Sequence, residues 1–179
     1  MNNAGITTRI YNFALNLVGW MKGGLGHVNV VGSVIFAGMS GTAIADAAGL
    51  GTIEIKAMQE HGYDTEFAVG VTAASATLGP IIPPSLPFVI YGMMGNVSIG
   101  ALFLAGILPG VFMALAMMGT VAYFAHKNGW GADIKFEWPK VIKSLTELAV
   151  VMGWPLALWL LVTYAGTAPQ ATVMIGLAV

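Results

Sequence analysis

The residues with the clearest potential for chemistry lie in 73–91, AASATLGPIIPPSLPFVIY, an apolar stretch interrupted by glycine and prolines. Prolines lack a backbone donor and clash with the preceding turn, so a continuous α-helix through 78–85 is not expected. Unwound backbone in hydrocarbon must be covered by protein or a polar cavity, and transporters place such breaks at their binding sites. The residues concerned are Ser75, Thr77, Gly79, Pro80, Pro83, Pro84 and Ser85.

The alternative for this stretch is a proline kink that only shapes packing. A Gly-Pro and a Pro-Pro pair lie close together here, and hydroxyl residues flank them. The sequence therefore favours a binding site over a simple kink.

A second polar cluster, Gly38-Met39-Ser40-Gly41-Thr42, follows a run of apolar and small residues. That run is too short to cross a bilayer at about 1.5 Å per residue. We therefore predict a re-entrant helical hairpin over 27–60 with Ser40, Gly41 and Thr42 at its tip, where glycine permits the turn and hydroxyls pair freed backbone groups. A single small-residue helix packed tightly against its neighbours is the alternative.

The charged residues that follow the cluster are few. Asp46 lies among small and apolar residues, so it should face a partner, a cavity or an ion, and both a structural role and direct ligation stay open. Glu54 and Lys56 are predicted to belong to a solvated helix end, and Lys56 and Glu60 can pair weakly at i,i+4. His61 has no second histidine at metal spacing, so we predict that it lies at the surface.

Composition sets the class of protein. The chain is 57% hydrophobic and only 8% charged, with no charged residue between 67 and 125 or between 148 and 179, which indicates an integral membrane protein. A net charge of −1 offers no basic face for nucleic acid. Cysteine is absent, and no paired aspartates, Ser/His arrangement or metal-ligand spacing suggests an enzyme.

The elements that position the two polar clusters can be read from hydropathy. Residues 1–22 are predicted to form an amphipathic or truncated helix, with Ile10, Phe13, Ala14, Leu17 and Trp20 on one face. A transport-domain half over 23–125 would contain the hairpin 27–60, the broken helix 65–95 and a long kinked helix 98–125. A cytoplasmic amphipathic arm, 126–147, and a transmembrane helix with the truncated start of another segment, 148–179, complete the expected order.

The orientation in the membrane can be predicted from the basic residues. Four of the seven Lys and Arg residues lie in the arm 126–147. Basic residues favour the cytoplasmic side of a membrane. A hairpin that enters and leaves from one side places Lys22, Lys56 and the arm inside and Asn96 outside. A spanning segment in its place would put Lys22 and Lys56 on opposite sides, which favours the hairpin.

In this order, the motifs resemble the large membrane subunit of tripartite ATP-independent periplasmic (TRAP) transporters, of the dicarboxylate DctM type. The resemblance runs from GGL-HVNVV to about Asn128, through the hairpin tip, an Asp-Ala-Ala run and a Gly-Pro-Ile-Ile-Pro-Pro break. Family members commonly carry a Thr-Pro-Thr-Glu-Ala-like element after the next span. Here the corresponding residues 166–171, GTAPQA, lack its acidic residue.

The resemblance implies an all-α, multi-pass protein of the bacterial inner membrane, a fragment covering about the N-terminal half of an inverted-repeat, elevator-type transporter. It implies a permease subunit of a sodium-coupled secondary transporter that imports organic acids, either C4-dicarboxylates or sialic-acid-like carboxylates. The implied partners are a periplasmic substrate-binding protein and a small TRAP membrane subunit. A structural or assembly subunit that transports nothing is the alternative.

The resemblance also nominates the site. Sodium takes oxygen ligands, which hydroxyls and freed carbonyls can supply. The expected ion- or substrate-binding residues are Ser40, Gly41, Thr42, Ser75, Thr77, Gly79 and Pro80. Among these, the candidates for Na⁺ as coupling ion are Ser40, Thr42, Ser75, Thr77 and Gly79.

Overall fold

The computed structural model describes residues 6–131, 137–147 and 149, and the regular structure in this part of the chain is helical. The predicted all-α class is confirmed. A further helix covers 138–147. The preceding seven helices are α1 (Ile6–Val18), α2 (Gly24–Ser40), α3 (Ala43–Gly49), α4 (Gly51–Glu60), α5 (Thr65–Ala76), α6 (Leu86–Gly95) and α7 (Ile99–Asn128).

Helix α1 is amphipathic, as its sequence predicts. Ile10 and Ala14 are fully buried, and Ile10 packs with Phe36 and Leu50 in one apolar cluster. The far end of the predicted face stays exposed, at Leu17 and Trp20. The first turns of α1 therefore pack on protein, against the segment 27–60 that carries the cluster Gly38–Thr42.

The segment 27–60 folds as a helical hairpin. Helix α2 ends at Gly41, whose φ of 61° is left-handed and whose N–H donates to the Ala37 carbonyl. Thr42 then caps α3, because its side chain accepts from the Ala45 N–H. The returning arm packs back on α2, since a Cβ atom added at Gly32 would lie 2.9 Å from Leu50 Cδ2. The chain thus turns back rather than forming one continuous helix, and insertion from one side of the membrane stays a prediction.

The predicted helix break is present. Helix α5 ends at Ala76 and α6 begins at Leu86, so the irregular segment is 77–85 against the predicted 78–85. Ser85 closes the break: its hydroxyl donates to the Pro80 carbonyl and accepts from the Phe88 N–H. These bonds define the start of α6 in the way that an N-cap residue does.

Helix α7 lies against the break. Gly106 and Gly110 allow this approach, because added Cβ atoms would lie 2.6 Å from the Ile81 carbonyl oxygen and 2.8 Å from Ile82 Cγ1. With 30 residues and a mean hydropathy of 2.2 over an 18-residue window, α7 is the one described helix long and apolar enough to cross a membrane by itself. It continues through Pro109 and ends at Asn128 rather than Ala125, so the first residues assigned to the arm belong to α7. Its methionines Met113, Met117 and Met118 pack against an apolar cluster.

The open end of the hairpin and the end of α7 lie together. The Gly23 N–H donates to the Gly131 carbonyl at 3.0 Å. The Trp130 ring lies 4.5 Å from that of Tyr63 and 4.7 Å from that of Phe67, measured between centroids. Trp130 therefore packs in an aromatic cluster, whereas Trp138 is exposed. The predicted transmembrane helix in 148–179 and the element 166–171 fall outside the described residues, apart from residue 149.

Candidate ion-binding site

The hairpin tip and the helix break are in direct contact. The Leu86 N–H donates to the Gly41 carbonyl at 3.3 Å. Gly41 faces the Pro84 carbonyl so closely that an added Cβ atom would collide with it. On the other side of the contact, a Cβ atom added at Gly79 would lie 3.0 Å from the Thr42 carbonyl carbon and oxygen. Glycine at both positions lets the two irregular backbones touch, and we call this place the tip–break contact.

Three hydroxyl groups lie at or beside this contact, and each makes a local backbone bond. Ser40 Oγ donates to the Thr42 carbonyl at 3.5 Å, and Thr42 Oγ1 accepts from the Ala45 N–H at 3.3 Å. Thr77 Oγ1 is exposed and donates to the Ala74 carbonyl at 2.6 Å. A hydroxyl has one donor and two acceptor positions, so Ser40 and Thr77 keep oxygen lone pairs for a cation while they bond to the backbone.

The peptide carbonyls of the break are partly used. The Ser75 carbonyl accepts from the Leu78 N–H at 3.0 Å, in a tight turn that follows α5. The Pro80 carbonyl accepts from Ser85, as described above. The break is thus an ordered turn structure in which a ligand would share carbonyl oxygens that already hold one hydrogen bond.

Ser75 lies apart from the other predicted site residues. Its side chain is completely buried, donates to Asn29 Oδ1 at 2.6 Å and accepts from Ser33 Oγ at 3.1 Å. The structure therefore divides the predicted set. Near the tip–break contact lie Ser40, Gly41, Thr42, Thr77, Gly79 and Pro80, whereas the Ser75 side chain points into the interface of α2 and α5. Whether any of them binds an ion stays a prediction.

Around Ser75 the structure reveals a polar cluster that the sequence did not predict. Asn29 Nδ2 donates to Glu54 Oε2 and to Thr72 Oγ1, both at 2.7 Å. We call this set the interior polar cluster. Its members are buried and come from α2, α4 and α5: Asn29, Ser33, Glu54, Thr72 and Ser75.

The prediction that Glu54 belongs to a solvated helix end is wrong, because its side chain is only 2% exposed. Leu50 and Met58, four residues to either side, are fully buried and lie on the same face of the helix. The spacing of Leu50, Glu54 and Met58 at i, i+4 and i+8 is the pattern that indicates burial of Glu54. The nearby charges of Lys56 and Glu60 instead favour a solvated helix end.

The expectations for Lys56, Glu60 and His61 are confirmed, whereas the role of Asp46 stays open. Lys56 and Glu60 form an exposed pair with a nitrogen–oxygen distance of 3.9 Å, and His61 lies at the surface with Nδ1 2.8 Å from the Ala57 carbonyl oxygen. Asp46 is 2% exposed, and in the described part of the chain neither of its carboxylate oxygens has a hydrogen-bond partner. Among the described residues, no group of three or more His, Cys, Asp or Glu could hold a metal ion.

Comparison with known proteins decides the family. The whole sequence, residues 1–179, matches the model of the tripartite ATP-independent periplasmic transporter, DctM component. The chain belongs to this family. The match of the DctM family extends through residue 179, and therefore beyond Asn128, where the resemblance drawn from the motifs ends.

Three relatives illustrate the range of the DctM family. The sialic acid TRAP transporter large permease protein SiaM of Vibrio cholerae is 52% identical over 147 residues, which cover 82% of this chain and 34% of the relative. The sialic acid TRAP transporter permease protein SiaT of Haemophilus influenzae is 52% identical over 130 residues, 73% of the chain and 21% of the relative. The C4-dicarboxylate TRAP transporter large permease protein DctM of Vibrio cholerae is 36% identical over 147 residues, 82% of the chain and 32% of the relative.

Two consequences follow for this DctM-family chain. It is part of an integral membrane protein, and the relatives are transporter permeases rather than enzymes. The chain spans about a third, or less, of the length of these relatives.

Proposed function

We propose that this chain is part of the large permease of a sodium-coupled secondary transporter, which crosses the bacterial inner membrane several times and imports organic acids. A periplasmic substrate-binding protein would deliver the substrate, and a small TRAP membrane subunit would complete the membrane complex. Family membership and the names of the relatives support the class of transporter. The observation that supports a sodium site is the tip–break contact, where two irregular backbones meet.

The substrate class follows from the relatives. Their names include sialic acid and C4-dicarboxylates, and both compounds are carboxylates. The identity of 52% to the sialic acid permease exceeds the 36% to the C4-dicarboxylate permease over the same number of residues. A sialic-acid-like carboxylate is therefore the preferred substrate class for the transporter that contains this chain.

Helix ends supply suitable electrostatics for both a cation and a carboxylate. Helices α2 and α5 end beside the tip–break contact, and their last carbonyls carry partial negative charge. Helix α6 begins there, and its first N–H groups carry partial positive charge. Broken helices in other transporters use these two kinds of ends for sodium and for anionic substrate groups.

The proposal is tested by sodium-dependent uptake of sialic acid and of a C4-dicarboxylate, with the full-length permease, its small subunit and its binding protein in liposomes. Thr77→Val and Ser40→Ala should each raise the sodium concentration for half-maximal uptake. Loss of one ligand, at about 1–3 kcal/mol, corresponds to a site weaker by roughly 5- to 150-fold. Thr77→Val retains the side-chain shape and removes only the hydroxyl.

Thr120→Val is the matched control for Thr77→Val. Thr120 also donates to a carbonyl of its own helix, that of Ala116 at 3.0 Å, and it is exposed on α7 away from the break. It should leave the sodium dependence unchanged. If uptake by the unmodified transporter is independent of sodium, or if neither variant changes that dependence at normal abundance, the tip–break contact is not the sodium site.

A separate prediction concerns orientation. The open end of the hairpin lies beside the end of α7, since Gly23 bonds to Gly131, so Lys56 and Lys127 should face the cytoplasm together while Asn96 faces the periplasm. Single cysteines at these positions, in a permease otherwise free of cysteine, can be tested with an impermeant thiol reagent. Asn96→Cys should react in intact spheroplasts, and Lys56→Cys only after the membrane is opened. The opposite pattern would exclude this orientation.

A further inference from the structure

Glu54 is the most unusual carboxyl group in the described part of the chain. Its Oε2 accepts from Asn29 Nδ2 at 2.7 Å, but Oε1 has no hydrogen-bond partner among the described residues. Oε1 faces α2 at Gly32, where an added Cβ atom would lie 2.7 Å away. Half of this carboxyl group is thus sealed against a glycine backbone, out of reach of solvent.

No positive charge faces Glu54 from the described helices that pack around it. Helix α5 presents Thr72, and its charged residue, Glu66, lies at its exposed start. Helix α2 presents Asn29, and its titratable residue, His27, lies two positions away, about 200° around the helix. Helix α3 contributes Asp46, a second buried carboxylate, and Lys56 of α4 itself points outward to Glu60.

An ionised carboxylate is strongly unfavourable in such surroundings, because a buried charge must be paired or neutralised. A metal ion would need several oxygen ligands around Oε1, yet the other side chain nearest to Oε1 at Gly32 is the apolar Leu50, whose Cδ2 would lie 2.9 Å from the added Cβ atom. A proton needs only one oxygen. We propose that Glu54 is a proton-binding site, occupied at neutral pH, so that its carboxyl group is neutral in the packed permease.

The position of this proton has a structural consequence. Glu54 belongs to α4, its donor Asn29 to α2, and Asn29 bonds in turn to Thr72 and Ser75 of α5. Removal of the proton would place a charge near Asp46, inside the interface that holds the hairpin on α5. The folded state thus binds a proton that the unfolded chain releases at neutral pH, so the stability of this packing falls as the pH rises.

Infrared difference spectroscopy of the purified full-length permease detects the proton directly. At neutral pH the spectrum should contain the C=O stretching band of a protonated carboxyl group, shifted in D₂O, absent from Glu54→Gln and retained in Asp46→Asn. In the unmodified protein the band should also shift when glutamate, but not aspartate, carries ¹³C at its carboxyl group. This labelling requires no substitution, so it shows whether a glutamate carries the proton even if Glu54→Gln does not fold. Glu54→Asp retains a carboxyl group, and in that variant the band should shift with labelled aspartate instead, which assigns the proton to this position.

Other outcomes contradict the proposal. Absence of the band at neutral pH would show that the carboxyl group is ionised. Loss of the band in Asp46→Asn, or a shift only with labelled aspartate, would place the proton on Asp46. Disappearance of the band on addition of sodium would show that a metal ion replaces the proton. The spectrum does not depend on transport, so failure here leaves the proposed function standing.

Discussion

Replacement of Gly41 by alanine is expected to reduce uptake by the full-length transporter by at least about tenfold, and to do so without loss of the protein from the membrane. Gly41 has a φ of 61°, which costs a residue with a Cβ atom about 1–2 kcal/mol. The added Cβ atom would also collide with the Pro84 carbonyl and lie 3.2 Å from the Leu86 nitrogen. The hairpin tip and the break would be forced apart, and about 1.4 kcal/mol suffices for a tenfold effect.

The control lies on the same helix. A Cβ atom added at Gly38 meets no atom within 4 Å, so Gly38→Ala should be close to neutral. Gly79→Ala should fall between the two, because its Cβ atom would be 3.0 Å from the Thr42 backbone and a shift of a few tenths of an ångström would relieve it. Uptake of sialic acid in liposomes, normalised to permease content, gives the order. Gly41→Ala with the activity of Gly38→Ala would show that close contact between tip and break is not needed.

The tip and the break could be predicted because the residues that create them act locally. Three prolines within 80–84 interrupt the backbone hydrogen bonds far more than the single Pro109 does, through which α7 continues, and the observed break, 77–85, differs from the predicted one by a single residue. Gly41 likewise supplies the left-handed residue at which α2 ends. Contact between the hairpin tip and the helix break could also be expected, because unwound backbone within an apolar chain must find polar partners.

The interior polar cluster could not be predicted, because it depends on how each helix is rotated about its axis. Asn29 is 25 residues from Glu54 and 46 residues from Ser75, and nothing local in the sequence connects them. Nearness in sequence predicts that Ser75 belongs to the break. Ser75 is the penultimate residue of α5, yet its side chain points toward α2 rather than toward the tip. Helix rotation is decided by packing over the whole interface, here by Leu50 and Met58 for α4.

The tip–break contact and the interior polar cluster have different roles. The tip–break contact lies at one end of α2 and α5, and the interior polar cluster joins the same helices further along, together with α4. Backbone atoms form most of the first region, and side chains form the second. The interior polar cluster therefore holds α2 and α5 together, and the ends of these two helices form the proposed ion site. Loss of the cluster should disturb the packing of α2, α4 and α5.

Removal of the Asn29 side chain is accordingly expected to cause a large loss of stability. Asn29 donates to Glu54 and Thr72 and accepts from Ser75, so Asn29→Ala leaves buried polar groups of two other helices without these bonds. Each unsatisfied group costs about 1–3 kcal/mol. A total of roughly 3–5 kcal/mol lies at the upper end for a single substitution. Thermal unfolding of the purified full-length permease should shift downward by on the order of 5–10 °C.

Asn12→Ala is the matched control, because Asn12 is exposed on α1 and the same atoms are removed there. It should change the unfolding temperature by no more than about 2 °C, as is usual for surface substitutions. A further variant separates polar pairing from simple loss of volume: Asn29→Leu refills the space but restores no hydrogen bond, so it should remain nearly as unstable as Asn29→Ala. If Asn29→Leu recovers the stability of the unmodified permease, packing volume rather than the hydrogen bonds of Asn29 holds α2, α4 and α5 together.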